Sequence, residues 1–578
     1  MKTTFPKQTS SKAGSALALT MIMTGVALAI LASAMSWSAN TTRLTHRSVQ
    51  HTRAVVAAEA GTEKVLSRMT RDFLTGGEKL VLDNLAGYRQ LVPTAADSSF
   101  WSGWEFNDAD GNVDQTFVQR TKANSYVVLN STYAGLRGFV STYTVVAHAR
   151  DTAALQNVVG GVRQEVQLAR IPIFQFALYS SGDMEISCGQ TFAVTGLVHA
   201  NKQLYVEPDS GLTFESDVTA VNDILFSRHP LDTRGKPVGS VVYEGEKTAQ
   251  VAAMTLPIGT TNTPQAIREI IQVPPSGEDP TSPVGRSRYY NQTDMILTVS
   301  DTGISATSGR FDNFATSIPS NHLAAIVTTT NSFRDARESK TVRPIDINVG
   351  ALTVWSQTNS SLRAALGAKD VASVYVVDRR TLASTVLGAV RLVNGRNLPA
   401  LGLTVATARP LYVLGHYNQT STANLGTANT ATTRPASLVA DAVTILSGNW
   451  ADAKSTLAVG SRTAAPTTVN AAILTGVVET TQGKYSGGME NFPRFLETWG
   501  AANTFTYNGS MVKMFPSLYA TNAWGLGNVY SPPKRNWAYD LNFSDPTKLP
   551  PLTPSLVKVI RSQWATVAPE HNTVASIP

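Results

Sequence analysis

The sequence predicts a mainly β protein that begins with a long α-helix and continues as an irregular β-sandwich or β-solenoid. The helix is indicated by an uncharged apolar run, Ser15 to Trp37. The run is followed by a stretch with helical spacing that contains no proline and no glycine before Gly61. The β body is indicated from Gly182 onward, where short apolar stretches are separated by Gly, Asn or Asp about every 8–12 residues. Only 15% of the 578 residues are charged, fewer than the roughly 25% usual in soluble domains.

The opening run is long enough to cross a bilayer. A helix over residues 15–37 would span about 35 Å, against a hydrocarbon core of about 30 Å. Lys2, Lys7 and Lys12 precede the run, so the positive-inside rule places residues 1–14, a basic leader, in the cytoplasm. The sequence therefore predicts a single-pass inner-membrane protein with its body in the periplasm or outside the cell.

Three interpretations of this run remain open. It could be a cleaved secretory signal, a static anchor, or an assembly helix released by cleavage between Gly14 and Ser15. Residues 38–75 favour the third, because apolar residues recur there at near-helical spacing and the helix should continue beyond the membrane as an amphipathic extension. These apolar residues are Leu44, Val55, Ala58, Val65, Leu66 and Met69.

Two short segments carry a resemblance to a known family. The stretch "KAGSALALTMIMTGVALAIL" and the element "AAEAGTEKVL", with Ala58, Glu59, Ala60, Gly61 and Glu63, resemble the PilX-type pilus assembly proteins. The resemblance implies a pilin-like start and packing of the N-terminal helix against related helices. Major pilins of this superfamily carry Glu at the fifth position after cleavage, where this chain has Leu19. That departure suits a minor or filament-tip component.

The exported body divides into four regions that differ in strand length and in their content of turn residues. Residues 76–180 are expected to be a pilin-like mixed α/β region, with a β-hairpin around "WEFNDADGNVDQTFVQR". Residues 181–270 form a short-strand β region, 271–380 a loop-rich connection, and 381–578 a C-terminal β region with a helical cap and a Pro-rich, weakly helical tail. The tracts "GLTVATARPLYVLGHYN" and "SGGMENFPRFLETW" also resemble full-length proteins with the PilX-like start, a likeness that implies no activity.

The most conspicuous polar–aromatic cluster lies in the C-terminal region. Glu490, Arg494, Glu497 and Trp499 read as a short helix, with Glu490 and Arg494 at i,i+4 spacing. Two interpretations stay open: a recognition surface with aromatic anchors, or a cap over the open end of the β architecture. A charged segment, Arg334 to Glu338, is expected to tie down a connection, with a polar ligand site as the alternative.

The sequence predicts no catalytic, cofactor or metal site. Its histidines form no H-x-H or H-E-x-x-H pattern, and Cys188 is expected to be a buried apolar residue. Asp108, Asp110 and Asp114 suggest a turn rather than a calcium loop. Five acidic residues could converge as in a carbohydrate-active enzyme but are expected to form turns: Asp183, Glu185, Asp217, Asp223 and Asp441.

These observations predict a structural component of a type IV pilus-like filament or its assembly apparatus. Its partners would be the inner membrane and other pilin-like subunits, bound through the N-terminal helix. The alternative is a membrane-anchored adhesin that binds a glycan or protein, and the third option is a β-solenoid enzyme. Nucleic-acid binding is not expected, because the net charge of +7 is spread out.

Overall fold

A computed structural model describes residues 13–108, 110–129, 135–154, 156–310, 313–318, 323–360, 363, 370–500, 502–522, 524 and 528–568. Residues 1–12 of the predicted leader therefore lie outside the described residues. The helices are α1 (Ala13–Asp83), α2 (Leu85–Arg89), α3 (Pro264–Arg268), α4 (Pro283–Ser287), α5 (Tyr289–Gln292) and α6 (Val349–Thr358). Within α1 the helical backbone is interrupted at Gly77, whose φ of 66° favours glycine.

The second half of α1 packs on an antiparallel sheet. Its first strands are β1 (Trp104–Asn107), β2 (Phe117–Val128), β3 (Arg137–Asp151) and β4 (Val159–Pro172). β3 is central: it pairs with β1, β2 and β4. The predicted hairpin is therefore wrong, because β1 and β2 each pair with β3. Apolar side chains from helix and sheet meet in one cluster that includes Val65, Leu66, Met69, Phe73, Tyr143, Val145, Val166 and Leu168.

The chain then forms regular coils of a parallel β-solenoid with three faces. The strands are β5 (Leu178–Ser180), β6 (Met184–Ile186), β7 (Phe192–Val194), β8 (Val198–Ala200), β9 (Leu204–Val206), β10 (Gly211–Phe214), β11 (Val218–Ala220), β12 (Ile224–Leu225), β13 (Ser240–Tyr243) and β14 (Lys247–Thr248). Leu178 pairs with Val198, and Val198 with Val218. The first two coils are thus 20 residues long, which explains the even spacing of turn residues in the sequence, whereas Val218 pairs with Lys247, so the third coil is 29 residues long.

A connecting segment returns the chain along the outside of the stack. Its apolar residues pack on the outer surface of the face that contains β5, in a cluster shared with β4. Arg268 of α3 fixes the segment to the solenoid through an ion pair of 2.6 Å with the buried Asp441. The connection spans residues 249–294, earlier than the predicted 271–380.

A second run of coils starts at the far end of the stack. Its strands are β15 (Met295–Ser300), β16 (Gly303–Arg310), β17 (Asn313–Ile318), β18 (Val327–Thr328), β19 (Phe333–Asp335), β20 (Lys340–Asn348), β21 (Ser373–Asp378), β22 (Val386–Val393), β23 (Leu403–Thr407), β24 (Leu411–Leu414), β25 (Ala436–Ala440), β26 (Val443–Leu446), β27 (Thr467–Asn470), β28 (Ala472–Val477), β29 (Pro493–Phe495), β30 (Thr504–Gly509), β31 (Met511–Pro516) and β32 (Lys534–Tyr539). The prediction of a loop-rich region up to residue 380 is wrong, because β15, β20 and β21 belong to the solenoid.

The two runs join into one stack although they are not consecutive in sequence. β31, from the last coil of the second run, pairs in parallel with β5, from the first coil of the first run. On the first face the order is β15, β21, β23, β25, β28, β31, β5, β8, β11 and β14, with β16 and β17 beyond β15. One apolar core fills the interior along both runs.

The last strand returns to the antiparallel sheet. β33 (Ser555–Val567) pairs with β4 from Ser555 opposite Pro172 to Val567 opposite Gly161. The predicted weakly helical tail is wrong over Ser555–Val567, because this segment completes the sheet on which α1 packs. The predicted fold class, a long N-terminal helix followed by a β-rich body, is confirmed, and the body is a solenoid rather than a sandwich.

Candidate functional site

The first half of α1 projects away from the body. Residues 15–49 are all exposed, and no charged residue occurs between Ala13 and Arg43. By length and composition this is a helix that could cross a membrane. Large apolar side chains lie on every side of it: Leu17, Leu19, Met21, Ile22, Met23, Val26, Leu28, Ile30, Leu31, Met35 and Trp37. Such an all-round apolar surface needs lipid or other helices around it.

Hydroxyl groups on this helix bond to its own backbone. The Thr20 hydroxyl donates to the Ala16 carbonyl oxygen at 3.0 Å, and the Thr24 hydroxyl donates to the Thr20 carbonyl oxygen at 2.7 Å. A polar group satisfied in this way costs little in an apolar environment. Both threonines are therefore compatible with lipid or with a packed helix bundle.

Small residues let α1 approach the sheet closely where it reaches the body. Ala54, Ala57, Ala58 and Gly61 are buried there. A Cβ atom on Gly160 of β4 would lie 2.4 Å from the Val55 backbone nitrogen. The helix backbone therefore rests directly on β4 at this point. Ala58 and Gly61 of the A-E-A-G element are buried where the helix meets the sheet, and a Cβ atom on Gly61 would lie 3.1 Å from the Cβ of Ala147 in β3.

Glu63, the last residue of that motif, bridges the helix and two strands. Its carboxylate accepts hydrogen bonds from Gln164 of β4 at 3.0 Å and from both terminal nitrogens of Arg561 of β33 at 2.6 and 2.7 Å. Glu59 and Ala60 are half-buried at the margin of the same contact. The motif thus serves packing of the helix on its own sheet.

A buried carboxylate fixes the end of α1 to the following turn. Asp72 accepts hydrogen bonds from Tyr88 at 2.8 Å, Asn84 at 3.0 Å and Arg68 at 3.2 Å. Burial by itself would raise the pKa of Asp72, but these three bonds together lower it below its ordinary value. The ionised carboxylate is thus stabilised by its partners inside the junction.

The helix predicted around Glu490 is not formed. Met489–Asn491 make a 3-10 turn, and Pro493–Phe495 are β29, the terminal strand of its own sheet. Arg494 pairs with Glu338 and not with Glu490. The predicted end cap is wrong, because the stack continues beyond this coil, where β31 pairs with β5 of the first run.

These four side chains serve different parts of the interior. Glu490 accepts a hydrogen bond from the Ser187 backbone nitrogen at 3.1 Å, and burial raises its pKa to about 7. Glu497 accepts from the backbone and hydroxyl of Ser447 at 2.6 and 2.7 Å. Trp499 is 1% exposed and packs on Phe495. Because all four side chains are buried, they do not form an exposed recognition surface.

The five acidic residues considered for catalysis bond to nearby protein groups. Asp183 accepts from the Gln203 backbone nitrogen, and Asp217 from that of Glu246. Asp223 accepts from the Gln250 amide and Glu185 from the Thr480 hydroxyl. Asp441 accepts from Arg268 and from backbone nitrogens of the segment after β31.

The remaining candidate sites are also structural in their contacts. Asp108 accepts from the backbone nitrogens of Asp110 and Asn112 in a turn. Asp335 accepts from Tyr412 at 2.7 Å, and Glu338 from the Thr521 backbone nitrogen. Cys188 is buried, which raises the pKa of its thiol to about 12. Within the described part of the chain, no group of three or more His, Cys, Asp or Glu residues could hold a metal ion.

Sequence reasoning missed the residues of the sheet that receive the helix. Gly160, Gln164 and Arg561 contact α1 directly. The pair Gly160–Gly161 at the start of an alternating strand was a usable signal, because glycine inside a strand often marks a close backbone approach. Nothing local signalled Arg561, which lies 498 residues from its partner.

The fold and this junction define a class: a protein whose N-terminal helix is apolar and free in its first half and docked on a β-rich body in its second. No family model and no curated protein matches the chain. Among solved structures it is similar to the competence-associated pilin ComZ from Thermus thermophilus, with 9% identity over 90% of this chain and 98% of that one. The TM-score is 0.27.

Proposed function

We propose that the protein is a structural component of a type IV pilus-like filament or of its assembly apparatus, anchored in the inner membrane by its N-terminal helix. The PilX-type resemblance of the sequence favours a minor subunit or assembly protein. Its role would be structural rather than enzymatic. The body would project into the periplasm or, after assembly, outside the cell.

The observation that carries the proposal is the continuity of α1. A secretion signal or a plain anchor needs only the apolar run, whereas here one helix extends from that run into a buried, small-residue contact with the body. A body joined so firmly must move with the helix. The first half of the helix can therefore leave lipid and pack among similar helices while its second half stays packed on the body.

Cysteine cross-linking tests this packing. Cys188 is the single cysteine and is buried, so cysteines placed at Leu19, Val26 or Ile30 would be the accessible thiols. In cells that contain the assembly machinery, we expect oxidation to give disulfide-linked dimers or heterodimers at a subset of these positions, repeating every three or four residues. Cysteine at Val354, an exposed position on α6, is the matched control and should stay monomeric.

N-terminal sequencing of protein extracted from the envelope separates the three interpretations of the apolar run. A mature start at Ser15 supports the filament role. An intact Met1 supports a static anchor, and a start at Met35 or Asn40 supports secretion and overturns the proposal. Uniform absence of cross-links along the helix would overturn helix packing even if cleavage occurs.

A further inference from the structure

A groove lies on the third face of the solenoid, away from α1. Its floor is formed by β27, β30 and β32, and its volume is about 590 Å³, within the range of roughly 300–1,000 Å³ usual for ligand pockets. Polar side chains dominate the lining: His416, Thr468, Thr504, Thr506, Lys534 and Asn536. Among the described residues that line it there is no carboxylate.

The polar groups stand in rows that cross the strands. The parallel register places Thr468 beside Thr506 and Thr506 beside Asn536, while Thr504 lies beside Lys534. Adjacent parallel strands are about 4.8 Å apart. Hydrogen-bonding groups therefore repeat along the groove at a regular, short interval.

One wall of the groove is held in place by hydrogen bonds. The Gly426 backbone nitrogen donates to the Thr468 hydroxyl, and the Asn536 amide donates to the Gly426 carbonyl oxygen, both at 2.9 Å. Asn508 donates to the Thr427 carbonyl oxygen at the same distance. The groove is thus formed in advance, which lowers the entropic cost of binding a ligand.

Two groups in the groove have unused hydrogen-bonding capacity. Thr506 is 1% exposed, and its hydroxyl oxygen has no hydrogen-bond partner among the described residues. Such an unsatisfied buried group calls for an explanation. His416 accepts at Nδ1 from the Thr468 backbone nitrogen at 3.1 Å, so the neutral ring carries its proton at Nε2 and can donate from there.

We propose that this groove binds a carboxylate-bearing oligosaccharide. Threonine hydroxyls and the Asn536 amide suit sugar hydroxyls, since each can donate and accept. Leu425 and Pro466 add apolar surface for the C–H faces of sugar rings. Lys534 is exposed and supplies positive charge for a carboxylate. Arg535 also contributes to the lining, but its guanidinium donates to the Glu490 carbonyl oxygen at 3.1 Å.

A peptide fits this groove less well. Peptides commonly add to a sheet by pairing with an edge strand, but β30, on the floor, is paired with β27 on one side and with β32 on the other. At the centre of the floor, β30 therefore offers only its side chains for recognition. The groove is also independent of α1, so the proposal does not rest on a filament role.

Isothermal titration of the full-length protein tests the proposal. The protein is held in a zwitterionic detergent without a sugar headgroup, and hexagalacturonate is compared with the neutral maltohexaose. We expect binding of hexagalacturonate that weakens as salt is added, and much weaker binding of maltohexaose. Equal affinity for both, or no binding of hexagalacturonate, would overturn the proposal.

Matched variants locate the site. Thr506→Val removes one hydroxyl without a change of shape and should weaken hexagalacturonate binding about threefold to tenfold. Lys534→Gln should weaken it and flatten its salt dependence. Thr213→Val, on β10 of the same face, and Lys202→Gln, at an exposed position elsewhere, should bind as the parent protein does. Unchanged binding by Thr506→Val and Lys534→Gln would overturn the assignment, and unfolding midpoints show whether each variant is folded.

Discussion

Glu63 in the N-terminal helix and Arg561 in the last strand form a bidentate ion pair, with nitrogen–oxygen distances of 2.6 and 2.7 Å. The two residues lie 498 positions apart. The sheet that supports the helix is thus completed by the C-terminal strand β33, after the whole solenoid has been built. The sheet that carries the helix leads into the solenoid through β4 and receives β33 after the solenoid ends. The helix, the sheet and the solenoid should therefore behave as one folding unit.

β33 should contribute to stability through its apolar residues more than through this ion pair. Leu556 is fully buried between the sheet and the solenoid, so Leu556→Ala should lower the free energy of unfolding by about 2–5 kcal/mol. Arg561 is largely exposed, and Arg561→Gln should lower it by less than about 1 kcal/mol. Denaturant unfolding of the detergent-solubilised protein measures both. A larger effect of Arg561→Gln would contradict this account.

The length of helix needed by the body can be tested by truncation. A fragment of residues 50–578 keeps the docked half of α1 and should be soluble without detergent. A fragment of residues 75–578 loses Val65, Leu66, Met69 and Phe73, which cover the sheet. Exposure of such an apolar face should make it aggregate. Size-exclusion chromatography distinguishes the two fragments, and a monomeric 75–578 fragment would show that α1 is not part of the body.

The close approach of α1 to β4 predicts a sharp difference between two glycines. Gly160→Ala would place its Cβ 2.4 Å from the Val55 backbone nitrogen and should destabilise the protein by about 1–3 kcal/mol, as overpacking does. Gly103→Ala, whose added Cβ meets nothing within 4 Å, is the control and should unfold like the parent. Equal midpoints for both variants in thermal unfolding would mean that the helix is not seated as described.

Local pattern was enough to predict the helix and the class of the body. The uninterrupted helical spacing after Trp37 indicated continuation to about residue 75, and α1 ends at Asp83. Turn residues at regular intervals from Gly182 indicated short strands, because each coil needs its own corners. The choice between sandwich and solenoid stayed open, since both place apolar residues at alternate positions along short strands.

The order of the coils could not be read from the sequence. β31 pairs with β5, and β33 with β4, and no local signal names a partner hundreds of residues away. The cluster from Glu490 to Trp499 was misread for a related reason. Its charges suggested a surface helix. Their partners, such as Glu338 for Arg494, lie in other coils and offset the desolvation cost of burying these charges.

A charged side chain should be tolerated less well in the apolar first half of α1 than on the solvent-exposed side of its docked second half. Val26 and Val56 are both exposed, at 50% and 58%, but only Val26 lies in the apolar run. Val26→Arg should reduce membrane insertion, since Arg at the centre of a membrane helix costs about 2.5–3.5 kcal/mol. Val56→Arg should insert normally. The share of protein that resists carbonate extraction measures insertion, and equal extraction of both variants would argue against a membrane-spanning α1.

Glu490 should make the protein less stable as the pH rises through a defined window. Burial raises its pKa to about 7 in the folded protein, whereas in the unfolded chain the carboxyl ionises at its ordinary value, about 4.3. Between these two values the folded state binds the proton and the unfolded state does not. Stability therefore falls from about pH 4.3 to about pH 7 and is then constant with respect to this group.

Glu490→Gln should remove that fall. Glutamine keeps an acceptor for the Ser187 backbone nitrogen, which Glu490 binds at 3.1 Å, but it has no charge to desolvate. Relative to the parent, the variant should gain stability above pH 7, by about 4 kcal/mol at most. Glu244→Gln, at an exposed position, should leave the pH profile of the parent unchanged. Other buried acids, such as Glu207, are present in all three proteins, so the difference between unfolding midpoints at each pH isolates Glu490. A constant difference between the parent and Glu490→Gln across pH 4–8 would show that this carboxyl does not change protonation in that range.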